Sequence, residues 1–293
     1  IGERKMKKSK LAKVLTVSLA ALMVFGLASC GGGSGKVSDK DITVISREEG
    51  SGTRDAFTEL TGVLQDDVDK TVDTAEISNS TSVVTQSVAG NDAAIGYISL
   101  GSLDDTVKAV KVDGVEATVD NIKSGDYKIQ RPFNIVTKGE VKELPADFIK
   151  FIMSKDGQKI IEDEGYISVN ENAEAYKASG LKGSITLAGS TSVSPVMEVL
   201  ADKYKELNSG VTIEIQQTGS GAGIQSTTEG VCDIGMASRE LKDEETSQGL
   251  KSEEIALDGI AVIVNKDNGV EDLSMDQIMK IFTGEITNWA DVK

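Results

Sequence analysis

The chain has 293 residues, 39% of them apolar, with 47 acidic against 31 basic side chains and no histidine. That length can bury a sizeable core and has room for about two domains. The missing histidine removes Ser-His-Asp and Cys-His catalysis, most zinc sites and any histidine switch, and the acidic balance disfavours nucleic acid as a partner.

The first thirty residues stand apart. Lys7, Lys8, Lys10 and Lys13 precede an apolar stretch from Val14 to Ala28, which ends in Leu27-Ala28-Ser29-Cys30. Fifteen residues fall short of a membrane span and carry the charge, apolar centre and small-residue end of a secretory signal. Because the small residues close on a cysteine, the segment resembles a lipoprotein signal with Cys30 as the lipidated residue. An ordinary signal cut near Ser29 is the rival reading. Met6 is a good initiator, and residues 1–5 read as upstream of it. Residues 31–39, GGGSGKVSD, read as a flexible tether of roughly 15 Å typical span. Without the signal, 25 basic face 46 acidic residues, a net charge of −21.

The remaining chain alternates strand and helix. Ile42–Ser46 reads as a β-branched strand, followed by the turn REEGSGT at 47–53 and a helix with Ala56, Phe57 and Leu60 on one face. A helix with a Ser/Thr-rich start over 80–89, a strand over 93–99 and a hairpin of 107–112 with 115–119 around Asp113-Gly114 come next. A strand over 133–137 leads to one long helix, 145–164. A strand over 184–188 then meets the turn AGSTSVSP at 188–195, where Pro195 opens a helix with Val196, Val199, Leu200, Tyr204 and Leu207 inward. Val211, Ile213 and Ile215 alternate as a strand. The turn TGSGAG at 218–223, a short helix, strands over 233–237 and 260–264 and a helix over 275–282 complete the pattern. It predicts an α/β protein with mainly parallel sheets and a ligand at the carboxyl ends of the strands. All three Gly/Ser/Thr turns lie there, each presenting backbone N–H groups and small hydroxyls at a helix start, where an oxyanion binds. Cys232, in an apolar run, reads as a buried small hydrophobe.

Five segments, SREEGSGTRDAF (46–57), LAGSTSVSPVMEVLADKY (187–204), IEIQQTGSGAGI (213–224), CDIGMASREL (232–241) and IFTGEITNWADV (281–292), together resemble the phosphate-binding component of the phosphate ABC importer, the PstS family. The segment order is rotated: in usual members the stretch matching 184–293 comes first. The chain therefore looks like a circular permutant, with the old termini joined near Ala178 to Lys182. The resemblance implies a two-lobed periplasmic-binding-protein fold of type II with the ligand in the inter-lobe cleft. One lobe is expected over 40–130 plus 262–293 and the other over 131–261.

The resemblance also implies the site. Arg47, Ser51, Gly52 and Thr53 match the phosphate-contacting arginine and helix start of one lobe, with Glu49 expected to hold Arg47. A surface ion pair of Arg47 with Glu48 or Glu49 is the plainer alternative. Ser190, Thr191, Ser192, Ser220 and Ser238 are expected from the other lobe, where helix capping is the alternative or accompanying role. Arg239 is read at the position where some members carry an aspartate that accepts the proton of hydrogen phosphate. It is expected either to contact the anion or to pair with Glu240. The implied function is non-catalytic capture of inorganic phosphate, without a cofactor, and its delivery to an ABC permease and its ATPase. The protein is expected to be an extracytoplasmic monomer held at the membrane by lipid on Cys30. Sulfate, molybdate or tungstate is the alternative cargo, and a surface-anchored sensor or adhesion protein the alternative class. Trp289 reads as a packing residue.

Overall fold

The computed structural model describes residues 39–292, all within one compact unit; the signal, Cys30 and nearly all of the tether lie outside them. Ten strands form one mixed sheet, eight of them in a single path. Its centre is two long strands, Gln130–Lys138 and the sixteen-residue Leu250–Asn265. The second strand pairs antiparallel with 130–138 along its first part and with Ala94–Ser99 along its last. It thus passes from one core to another, as its continuous run of buried apolar residues from Ile260 to Val264 allows.

On one side, Phe57, Tyr97, Ile260, Val262, Phe282 and Trp289 share a core, with the Phe57 and Tyr97 rings stacked at 3.9 Å. A smaller cluster of Ile45, Val84, Val88, Ile98 and Ile263 backs the same strands. On the other side, Phe133, Phe148, Phe151, Leu187, Val196, Leu200, Tyr204 and Ile255 form the second large core. Each lobe has the same local build: short parallel strands ending in a turn that feeds a helix. Thr43–Arg47 lies between Glu76–Ser78 and Ala94–Ser99, and Gly183–Gly189 lies between Val211–Gln217 and Ile234–Ala237.

Several local expectations are corrected. The sheet is not mainly parallel, because both long strands run antiparallel to their neighbours. The helix expected over 145–164 is two, Glu143–Ile152 and Lys155–Asp163. Ser154 accepts from Gly157 N to cap the second, and a Cβ on Gly157 would meet the carbonyls of Phe151 and Ile152. The hairpin after Gly114 does not form: Val112 and Val115 close a tight turn, Lys111–Val112 pairs with Asp272–Leu273, and Val119–Lys123 is helical. Leu60, Val199 and Leu207 face solvent, just outside the buried helix faces. Trp289 is buried, donating Nε1–H to the Ala93 carbonyl at 2.9 Å.

Candidate functional site

The three Gly/Ser/Thr turns meet. Gly50, at φ 81°, turns the chain out of Thr43–Arg47, and Ser51 accepts from Arg54 N to cap the helix Gly52–Thr61. Gly189, at φ 145°, lies so close to the Met236 carbonyl that a Cβ could not fit, and Ser190 accepts from Ser192 N and Val193 N ahead of the helix Ser194–Leu207. Gly219, at φ 88°, precedes the helix Ser220–Glu229. There Ser220 makes no cap; its hydroxyl instead accepts from Ser238 N at 3.2 Å.

Arg47, Ser51, Gly52, Thr53, Ser190, Thr191, Ser192, Ser220, Ser238 and Arg239 are all buried. Contacts cross between the two lobes at the centre of this group. Thr53 Oγ1 lies 2.9 Å from Ser192 Oγ, and Gly221 N donates to the Gly50 carbonyl at 2.9 Å. Gly52 is pressed against the Ser220 and Ser238 hydroxyls. The cleft is closed here. Open cavities flank it, one of about 560 Å³ bordered by Ser80, Thr81, Thr191 and Gln217, another of about 450 Å³ bordered by Asp55, Arg131, Arg239 and Lys242.

Hydrogen-bond direction gives the group its chemical character. A hydroxyl that accepts from an N–H keeps its single proton for another acceptor. Thr53 accepts from Arg131 Nη1 (3.0 Å), Thr81 from Arg47 Nη1 (3.4 Å), Thr191 from Thr81 N (3.4 Å) and Ser220 from Ser238 N. Four hydroxyls from both lobes thus each have one lone pair taken up and keep a proton to give. Two others, Ser192 and Ser238, contact only hydroxyls through their oxygens and are free to donate or accept. Such a surface suits an oxyanion rich in acceptor oxygens.

Two buried guanidiniums beside the group, those of Arg47 and Arg131, each have one carboxylate. Arg47 directs Nε and Nη2 to Glu48 at 2.8 Å each, which corrects the expectation for Glu49; Glu49 is exposed. The backbone N–H of Arg47 donates to the Tyr97 hydroxyl, tying the site to the Phe57–Tyr97 stack. Arg131 pairs with Asp258 at 2.9 Å, both almost fully buried. Burial pushes the Asp258 carboxyl up, to about 6, against the opposing pull of Arg131, Ser99 and the amides of Gly101 and Leu100.

Arg239 does not pair with the Glu240 carboxylate as expected. It forks onto Glu245 at 2.8 Å from each terminal nitrogen, and its Nε lies 2.9 Å from Asp55 of the opposite lobe. Of Glu240, only the backbone carbonyl receives a bond from it. Ser238, one residue earlier, is the position that faces the cluster.

Three participants escape sequence reasoning: Thr81, Arg131 and Asp258. The Ser/Thr-rich start at 80–82 was a usable signal for Thr81. For the other two the only signal is a charge beside apolar residues, in QRPFN and ALDGI.

The family model described as a PBP superfamily domain matches residues 29–156 and 174–293. A Streptococcus agalactiae phosphate-binding protein PstS 2 is 52% identical over 98% of this chain and 99% of its own, and a Streptococcus pneumoniae PstS 2 is 47% identical over 97% and 100%. The crystal structure of a phosphate-binding protein of a phosphate ABC transporter from S. pneumoniae superposes with a TM-score of 0.70 at 49% identity, covering 87% of this chain and all of that one. The match to the Bacillus subtilis PstS, 38% identical, spans 43% of each chain. Full-length similarity at this level, on the two-lobed architecture described above, identifies the chain as a member of the PstS family within the periplasmic-binding-protein superfamily.

Proposed function

We propose that this protein closes its two lobes over one inorganic phosphate and hands it to an ABC permease driven by its ATPase. The observation that carries this reading is the ring of buried hydroxyls from both lobes, oriented as donors beside the Arg47 guanidinium. Only the closed form can place all of them on one ligand, so binding energy favours closure. The ligand contacts assigned are Arg47, Ser51, Gly52, Thr53, Ser190, Thr191, Ser192, Ser220 and Ser238, with Thr81 added. Arg239 holds the lobes rather than the anion. The PstS relatives bear the name of phosphate-binding proteins, which agrees with capture without chemistry.

The site lies outside the cytoplasm in this reading, and Cys30 carries the lipid anchor. The segment order is proposed to be a circular permutation, with lobes near 40–130 plus 262–293 and near 131–261. Similarity to the streptococcal relatives runs the length of the chain but covers under half of the B. subtilis protein, as rotation would produce. The supposed joint near 178–182 is regular neither as helix nor as strand and is clasped by its neighbours, Ser179 donating to Asp147.

The test is a calorimetric titration of residues 31–293, stripped of phosphate, with phosphate alone and in excess sulfate or molybdate. One-to-one phosphate binding that the competitors leave undisturbed is expected. Silence toward phosphate, or ready displacement, moves the assignment to another tetrahedral oxyanion; binding of none of them leaves a sensor or adhesion role.

A further inference from the structure

The Arg131–Asp258 pair lies where the two long strands pass between the lobes, its side chains 2% and 1% exposed. Taking both charges from water is costly, and an apolar pair of the same volume is often as stable, so stability alone does not account for them. Their hydrogen bonds point to the anion site. Asp258 receives Arg131 Nη2 on one oxygen at 2.9 Å and the Ser99 hydroxyl on the other at 2.9 Å. The guanidinium also sits over the Phe133 ring, 5.1 Å from its centre. Held this way, Nη1 reaches the Thr53 hydroxyl at 3.0 Å and the Ser238 carbonyl at 3.3 Å.

We infer that Arg131 is a positioning residue of the anion site, fixing the Thr53 hydroxyl as an obligate donor toward the ligand. The inference rests on the phosphate reading above. A guanidinium has no lone pair to offer, so Thr53 Oγ1 accepts from it and turns its own proton elsewhere. Without a ligand the neighbour in reach is Ser192 Oγ, 2.9 Å away across the cleft. With an anion between the lobes, the same proton meets an anionic oxygen. Asp258 acts one step further back, and Ser99 one more, so the chain of hydrogen bonds runs from the long strands to the ligand. Its adjacent positive charge also strengthens Thr53 as a donor. The bond from Arg131 to the Ser238 carbonyl anchors the guanidinium within its own lobe, from which it reaches Thr53 of the other.

A double-mutant cycle separates this role from mere support of the fold. Phosphate dissociation constants are measured by calorimetry for the wild type, Arg131→Met, Thr53→Val and the double variant, with thermal melts to show that each is folded. Arg131→Met is expected to weaken binding about tenfold or more in the wild-type background and less than about twofold when Thr53 is already valine. Arg131→Lys, which still donates, recovers part of the loss. Should Arg131→Met fail to fold, Asp258→Asn loosens the guanidinium with little change of shape, and its smaller loss must likewise vanish beside Thr53→Val. Equal losses in both backgrounds, or no loss in either, overturn the inference while phosphate binding by the wild type stands. A wild type that binds no phosphate overturns the reading beneath it as well.

Discussion

Gly52 offers a direct way to oppose closure without damaging either lobe. It is the first residue of the helix Gly52–Thr61, and a Cβ there would lie 2.6 Å from Ser220 Oγ, 2.8 Å from Ser238 Oγ and 3.1 Å from Ser220 Cβ. All three atoms belong to the opposite lobe. Gly52→Ala therefore meets no obstacle within its own helix, where alanine is the better former by about 0.8–1.0 kcal/mol at an interior position and by less at the first turn. The closed form must instead open by several tenths of an ångström or turn both serine hydroxyls away. Overpacking of this kind costs about 1–3 kcal/mol, which corresponds to roughly 5- to 140-fold in the dissociation constant when only the closed form binds. The added methyl removes no hydrogen-bonding group. Calorimetry should find phosphate binding weakened within that range, while the melting temperature of the ligand-free protein stays level or rises. Unchanged affinity would refute the reasoning, since it would mean that the contact between Gly52 and the two serines is absent from the bound state.

Thr81→Val removes a hydroxyl oriented by Arg47 and should weaken phosphate binding about tenfold, whereas the exposed neighbour change Ser82→Ala should leave it unaltered; the same titration reads both. Asp55→Asn removes one acid from Arg239 while leaving the Arg239–Glu245 fork in place, so stopped-flow release of phosphate should quicken by up to about fivefold, less in high salt. Asp147 Oδ2 accepts from the Tyr176, Tyr204 and Ser179 hydroxyls at 2.6–2.8 Å, and Asp147→Ala should lower stability by about 2 kcal/mol at pH 7 without affecting affinity. Burial alone would raise the Asp147 carboxyl, but the three hydroxyls outweigh it and hold it below the usual carboxylate range. Its stabilisation is thus present above about pH 4 and lost as the pH falls through the folded value, so urea unfolding should show the gap between wild type and variant narrowing in acid.

What could be read from the residues divides along a physical line. Turns announce themselves locally, because glycine at positive φ and small hydroxyls before a helix form compact patterns; the three turns are legible that way and hold eight of the ten proposed contacts, while the family resemblance supplies their role and adds Ser238. Direction is not local. Whether Arg47 forks onto Glu48 or Glu49 depends on how the chain leaves the strand at Gly50, and a one-residue shift at 238–239 decides which side chain faces the cleft. The Arg131–Asp258 pair joins residues 127 apart, and neither strand carries a sign of its partner. Strand direction is not legible for the same reason, since an apolar run looks alike in parallel and antiparallel pairs. The helix break at Ser154 was hidden because both halves keep their apolar residues in one helical rhythm, and only the capping hydroxyl separates them.

The most direct test of the central claim is a crystal structure of the mature chain grown with phosphate, examined for difference density between the lobes. The account predicts one tetrahedral anion within hydrogen-bond distance of Arg47 and of hydroxyls from both lobes, Thr53 and Thr81 on one side, Thr191 and Ser220 on the other. Density elsewhere on the molecule, or an anion touching one lobe only, would contradict it.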